Sequence, residues 1–329
     1  MAATDRTRRV LIIRPSALGD VCRSVPLAAS IRAAWPGARI EWLVNAPSAD
    51  AIRAHPAVDE AVAFHRRGTP AAHAAFLREL RGRRYSAVID AQGLARSGVF
   101  SLATCAPIRI ARRDAREGAW LAANRRVRGS DPRHTVDVML SLLGPLGIEP
   151  VHDLRLTAPN DARAAIAEDP AAGGVPVVLA PTSLWPGKRW PIERFAELAR
   201  RLLPDRPVIA VGGPDEADQC GPLLAVPGVI DRVGRTSVGG LMALIERAGL
   251  VVANDSAALH MAVGFGRPIV ALFGPTRIEL VGPYRRDEDV IQHLRPGDTP
   301  DHKTEANGRA LMERITVDEV EAAARDRLG

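Results

Sequence analysis

The sequence predicts an α/β protein built from two doubly wound parallel-sheet domains, and three observations predict it. Short, continuous apolar runs rich in Val, Ile and Leu alternate with helix-patterned stretches along the chain. Strands buried on both faces read this way, and the helices between them supply the crossovers a parallel sheet needs. The chain has 329 residues, material for about two domains. A stretch dense in turn formers, Thr157 to Pro176 with Pro159, Asn160, Asp161, Asp169, Pro170, Gly173 and Gly174, divides it near the middle. The expected domains are residues 1–160 and 161–329, two Rossmann-like units facing each other across a cleft.

Each strand rests on its own run. In the first domain these are Val10–Arg14, Arg39–Val44, Ala87–Asp90 and Ile108–Ala111; in the second, Val177–Ala180, Val208–Val211, Leu250–Ala253 and Ile269–Phe273. All are strand-length rather than helix-length. The clearest helix has Pro191 in its first turn, then Ile192, Phe195, Leu198, Ala199, Leu202 and Leu203 on one face, and stops before Pro204. A last helix, about Val317 to Leu328, carries Val317, Val320, Ala323 and Ala324 on one side and could pack back on either domain, the first included.

Charge divides the chain as sharply as the linker does. Of the basic residues only Lys188 and Lys303 are lysine, and the formal net charge is +6. Residues 1–158 hold 24 Arg against 14 acidic residues, a net +10, whereas the remainder holds 20 basic against 24 acidic, a net −4. Nine arginines lie between Arg96 and Arg133, among them Arg112, Arg113 and Arg116, against Asp114, Glu117 and Asp131. The first domain therefore suits an anionic partner: a phosphorylated small molecule, an anionic lipid surface or nucleic acid. A solvated arginine-rich face is the competing reading. Phe 6, Trp 5 and Tyr 2 are too few to build the stacking platforms of most single-strand binders, which argues against nucleic acid.

Cys22, Cys105 and Cys220 lie far apart, so neither a disulfide framework nor paired metal ligands can be read, and a reducing compartment fits best. The apolar run Val10 to Ile13 is much shorter than a signal-peptide core, and no run approaches the ~18 residues of a membrane span. The expected location is the cytoplasm.

In open α/β sheets ligands bind beyond the carboxyl ends of the strands, so the residues following each run are the candidates. After Val10–Arg14 comes Pro15-Ser16-Ala17-Leu18-Gly19-Asp20-Val21, which places Asp20 at the start of a helix. It reads either as a general base toward a substrate hydroxyl or as a carboxylate stabilising free helix N–H groups. After Val177–Ala180 comes the segment Pro181-Thr182-Ser183-Leu184-Trp185-Pro186-Gly187-Lys188-Arg189. Hydroxyls from Thr182 and Ser183 and the ammonium of Lys188, ahead of a helix, suit phosphate oxygens; the P-loop spacing is absent. After Val208–Val211 comes Gly212-Gly213-Pro214-Asp215-Glu216, a plain turn or a ribose-binding acidic turn. After Leu250–Ala253 come Asn254, Asp255 and Ser256, all able to cap a helix, with His260 a turn further on; Phe273-Gly274-Pro275-Thr276 converges on the same rim.

Taken together these segments resemble the heptosyltransferases of lipopolysaccharide core synthesis, glycosyltransferase family nine. The stretches that carry the resemblance run over 11–44, 88–98 ("VIDAQGLARSG"), 180–198 ("APTSLWPGKRWPIERFAEL"), 211–217 ("VGGPDEA") and 251–276 ("VVANDSAALHMAVGFGRPIVALFGPT"), in the family's order. The resemblance implies a GT-B fold and metal-independent, inverting transfer of a heptose from ADP-heptose to an anionic lipid-linked saccharide acceptor, the lipopolysaccharide inner core. No separate cofactor is implied beyond the ADP-sugar. Asp20 would be the general base. Thr182, Ser183 and Lys188 would hold the diphosphate, with Lys188 neutralising the leaving ADP. Glu216 would contact the ribose, and Asp255, Ser256, Ala257 and His260 would bind phosphates and the heptose. Arg96, Arg112, Arg113 and Arg116 would draw the acceptor, with the enzyme a monomer in peripheral contact with the cytoplasmic face of the inner membrane and no nucleic-acid partner.

One departure stands out: Ala257 occupies a position where the family generally has Gly. If that backbone needed a positive φ or a very close approach to phosphate, a Cβ would cost about 1 kcal/mol or more. This is the one feature favouring a non-catalytic or divergent GT-B protein, one that uses another nucleotide sugar or only binds a glycan or nucleotide. A nicotinamide-dependent oxidoreductase lacks support because no GxGxxG follows any strand.

Overall fold

The described residues form twelve parallel strands in two sheets, and the strand order explains where the candidate residues gather. In the computed structural model, residues 8–128, 134–169, 173–301 and 303–329 are described. Arg133 and Asp131 of the basic stretch and Pro170 of the linker lie outside them. The contacts divide the chain into Met1–Thr157 and Ala158–Gly329.

The first unit holds β1 (Arg9–Ile13), β2 (Arg39–Asn45), β3 (Glu60–Phe64), β4 (Ala87–Asp90), β5 (Ile108–Arg112) and β6 (Arg125–Val127), ordered β3-β2-β1-β4-β5-β6. The second holds β7 (Val177–Ala180), β8 (Val208–Gly212), β9 (Ile230–Val233), β10 (Leu250–Asn254), β11 (Ile269–Leu272) and β12 (Val290–Ile291), ordered β12-β11-β10-β7-β8-β9. The two orders are the same when each unit is counted from its own first strand. Both are doubly wound, with the switch point between β1 and β4 in one and between β7 and β10 in the other.

The eight apolar runs all become strands, shifted at the ends by a residue at most. Four of the interior strands, β4, β7, β10 and β11, are buried at every residue. The helix expected after Pro191 spans Ile192–Leu202 and buries Phe195, Ala196, Leu198, Ala199 and Leu202, with Pro191 at its N-cap rather than inside its first turn. The last helix, Val317–Leu328, packs on the sheet of its own unit. Its Val320 and Ala324 are buried in the core of the second unit with Leu198, Leu202, Val252 and Val270, because its apolar side faces that sheet.

Opposite the switch point of the first sheet, an ion cluster ties strand starts together. Glu41, fully buried, accepts from Arg9 Nε at 2.7 Å, Arg39 Nε at 2.7 Å, Arg83 Nη1 at 2.8 Å and Tyr85 OH at 2.6 Å. Burial pushes the Glu41 carboxyl up, but these donors outweigh it and hold it below the usual range. The cluster locks β1, β2 and the approach to β4 at their amino ends.

Candidate active site

At the carboxyl end of β1 the chain turns through Pro15, Ser16 and Ala17 into the helix Leu18–Arg23, with Asp20 as its third residue. One oxygen of Asp20 lies 2.7 Å from Arg14 and 3.4 Å from the N–H of Ala17, and the other lies 2.5 Å from Arg23. Both arginines are buried while Asp20 keeps a quarter of its side chain, 26 %, exposed. The helix-start reading of Asp20 is thus realised, and two guanidiniums fix the carboxylate at the rim. Sequence reasoning singled out neither Arg14 nor Arg23. The signal was available: Arg23 follows Asp20 by three residues, one turn along a helix.

Across the switch point, Asp90 ends β4 and is buried. It accepts from the N–H of Gln92 and of Gly93, both at 3.0 Å, and from Ser97 Oγ at 2.8 Å, which shapes the loop after β4. Burial pushes its carboxyl above the usual range, the hydrogen bonds offsetting only part of the cost. The turn after β5 lies on the same rim, since Arg116 N–H donates to Gly93 O at 2.9 Å. Arg96, Arg113 and Arg116 are exposed there. Arg112 is committed to Asp114, with Nε 2.7 Å from one carboxylate oxygen.

In the second unit the loops after β7 and β10 are stitched together. Buried Asn254 donates to Pro181 O at 2.6 Å and accepts from Trp190 N–H at 3.1 Å, so the segment carrying Thr182, Ser183 and Lys188 is clamped over the end of β10. Lys188 Nζ donates to Asp255 at 2.6 Å, both nearly buried, and His260 Nε2 lies 3.9 Å from the other Asp255 oxygen. Burial alone would raise the Asp255 carboxyl. His260 and Lys188 together outweigh it and hold the group well below the usual range, so it stays ionised beside its two partners. Ser183 Oγ donates to Asp255 O at 3.4 Å.

Ser256 is the N-cap of the helix Ala257–Gly264, yet makes no side-chain cap bond, and its buried Oγ has no partner among the described residues. Ala257 is the first helical residue and is absent from the positive-φ positions, so its Cβ sits on unstrained backbone. The Lys188 turn has a support sequence reasoning missed. Gly187 stacks against Gly308 of the helix Glu305–Met312, where a Cβ on Gly308 would lie 2.5 Å from Gly187 O. Glu216 stands apart from the Lys188–Asp255 pair in its bonding: one of its oxygens accepts from Gly213 N–H at 2.6 Å, which makes the acidic turn a capped turn.

The structure therefore brings Thr182, Ser183, Lys188, Asp255, Ser256, Ala257 and His260 to one switch point. Asp20 and the Arg96–Arg116 rim stand at the other.

A model of glycosyltransferase family 9 (heptosyltransferase) matches residues 73–310. The chain belongs to glycosyltransferase family 9. Membership makes this family 9 protein a glycosyltransferase. It is 26% identical over 329 residues to lipopolysaccharide heptosyltransferase 1 of Escherichia coli, covering 94% of this chain and 99% of the relative. Its fold is that of a solved family 9 glycosyl transferase from Veillonella parvula, with TM-score 0.82 at 21% identity and 99% of each chain covered. A solved E. coli heptosyltransferase WaaC, described with ADP-2-deoxy-2-fluoro heptose, matches with TM-score 0.76 at 24% identity over 97% of this chain and 99% of that one. The shared architecture is GT-B. Among the described residues of this family 9 chain no helix is long and apolar enough to cross a membrane.

Proposed function

We propose that the protein moves a heptose from ADP-heptose to an anionic, lipid-linked saccharide acceptor of the lipopolysaccharide inner core, without a metal ion and with inversion at the anomeric carbon. The observation that carries this reading is the Lys188–Asp255–His260 cluster at the switch point of the second sheet, in a chain of this family. Its E. coli relative is named for lipopolysaccharide heptosyl transfer, and the WaaC structure is described with an ADP-heptose analogue.

Asp255 engages one of the three N–H donors of Lys188, leaving the others to meet the diphosphate. Thr182, Ser183, the partnerless Ser256 hydroxyl and the free N–H groups at the start of the Ala257–Gly264 helix add donors for the same oxygens. Glu216 spends one oxygen on Gly213 and offers the other to a ribose hydroxyl. Asp20 takes the proton of the acceptor hydroxyl as that oxygen bonds to the anomeric carbon. The bond from that carbon to the diphosphate breaks on the opposite face, and the charge released on ADP is met by Lys188 and the helix start. Arg96, Arg113 and Arg116 attract the acceptor's phosphates, whereas Arg112 is engaged by Asp114. The enzyme works as a monomer, peripheral to the cytoplasmic face of the inner membrane.

A thermal-shift panel with ADP, UDP, GDP and their sugars tests the donor: stabilisation by ADP and ADP-heptose is expected, and a response to UDP or GDP but not ADP would sink the assignment. Asp20→Asn should retain ADP binding and lose turnover by about 100-fold or more; normal turnover removes Asp20 as the base.

A further inference from the structure

We propose that the β6 side of the first unit docks on an anionic lipid bilayer through an apolar patch of Val99, Leu102 and Leu121 set among exposed arginines. The inference rests on the proposed function only for the membrane-borne acceptor that would give such docking a use.

The helix Ala95–Ala103 buries Ser97, Gly98, Phe100 and Ser101 and turns the opposite face outward, where Val99 and Leu102 are each 50% exposed. Gly98 abuts the short turn Ala119–Ala122: a Cβ there would meet Ala119 Cα at 3.3 Å and Ala122 Cβ at 3.4 Å. Leu102 follows Gly98 by one helical turn and so lies alongside the same segment, from which Leu121 projects with 64% of its surface exposed. Single exposed apolar residues need no explanation; three on two elements in contact form a patch.

The charge on the segments that follow in the chain has one dominant sign. Arg125 lies on edge strand β6 and Arg128 just beyond it, both exposed, and Arg113 is bonded through its backbone to Val127. The described acidic residues nearby are engaged: Asp114 by Arg112, and Glu117 by the N–H of Ala95 at 3.1 Å. Apolar side chains in a field of arginines match an anionic interface, where the former enter the headgroup boundary and the latter stay with the phosphates. The net +10 of residues 1–158 acts in the same direction.

Co-sedimentation of the full chain with phosphatidylcholine vesicles, with and without phosphatidylglycerol, tests this. Binding is expected only with phosphatidylglycerol. The combined variant Val99→Thr, Leu102→Gln, Leu121→Gln should bind at least about tenfold more weakly, and Arg125→Gln with Arg128→Gln should lose about fivefold per charge. Both variants should keep the wild-type thermal shift with ADP, which shows that they are folded. Absence of wild-type binding to the anionic vesicles, or equal binding by the apolar variant, overturns the proposal. So does wild-type self-association in sedimentation velocity that the apolar variant abolishes, since the patch would then join two copies of the chain. Vesicle binding that obeys these rules in a protein that ignores ADP would refute the donor reading and leave the docking surface standing.

Discussion

Lys188 and Asp255 are a nearly buried ion pair, and removing either partner strands the other charge at a cost of about 3 kcal/mol or more. Asp255→Asn should therefore lower stability at neutral pH, and its pH dependence has a definite sign. A carboxyl depressed in the folded state stabilises it above its unfolded pKa of about 4, and that stability is lost as pH falls through the depressed value. The stability gap between wild type and Asp255→Asn is expected to be full above about pH 5 and to shrink below about pH 4 in urea titrations; a gap independent of pH would show that the pair does not govern the effect. The thiols give a second check. Burial pushes Cys22 up to about 12 and Cys220 up to about 11, while Cys105 is exposed, so a thiol reagent should modify Cys105 alone in the native protein. Rapid modification of all three would mean that the cores open readily. Each member of the donor cluster was legible because it follows a strand run. Their pairing was not, because Lys188 and Asp255 are 67 residues apart and meet only through the adjacency of β7 and β10. The clamp on Asp20 was legible only by half: the spacing of three residues marks Arg23, but in a chain so rich in arginine Arg14 does not stand out until burial separates it from the solvated ones.

At the scale of elements, the turn that carries Lys188 is positioned from behind. Gly308→Ala would place a methyl group against Gly187 backbone, which has no flexible end to give way. Overpacking of this kind costs typically about 1–3 kcal/mol, and here it should also shift Lys188. The expected result is a rise of several-fold or more in the dissociation constant for ADP in calorimetry, with the affinity for acceptor unchanged; unaltered ADP affinity would separate the helix Glu305–Met312 from donor binding. Nothing in the Gly308 neighbourhood of the sequence announces this contact. The strands show the same division between legible and hidden. All eight interior strands stand out as apolar runs, since neighbours on both sides and helices on both faces demand them. The four that escaped, β3, β6, β9 and β12, are the edge strands of the two sheets. Their sequences, EAVAF, RRV, IDRV and VI, are short or mix charge with apolar residues, because an edge is only partly covered and polar side chains there discourage pairing with another chain.

Across the whole molecule, the repeated strand order sets a switch point in each unit, and the charge difference between the halves gives each a different electrostatic character. In the proposed function the second unit binds its donor with a local device: a lysine held by an aspartate, hydroxyls and a helix start, most of it buried and weakly screened by salt. The acceptor side of that proposal relies on the exposed arginines of the first unit. Not all of them are available, since Arg112 is paired with Asp114, Arg109 donates to Ala122 O and Ala106 O, and Arg126 lies over the Trp120 ring at 4.7 Å. Among the described residues of the rim proposed for the acceptor this leaves Arg96, Arg113 and Arg116 as exposed cations without a side-chain ion pair, and the attraction proposed for a phosphorylated acceptor acts through solvent. Ionic strength should therefore separate the two substrates. Raising salt from about 0.01 M to physiological strength shortens the screening length from about 30 Å to 8 Å, so the KM for acceptor should rise roughly tenfold while the KM for the ADP-sugar changes much less. Arg113→Gln with Arg116→Gln should flatten the acceptor's salt dependence and leave the donor's untouched. Equal dependence for the two substrates, or a salt response that survives the double substitution, would return these arginines to the solvated face that their abundance alone would suggest.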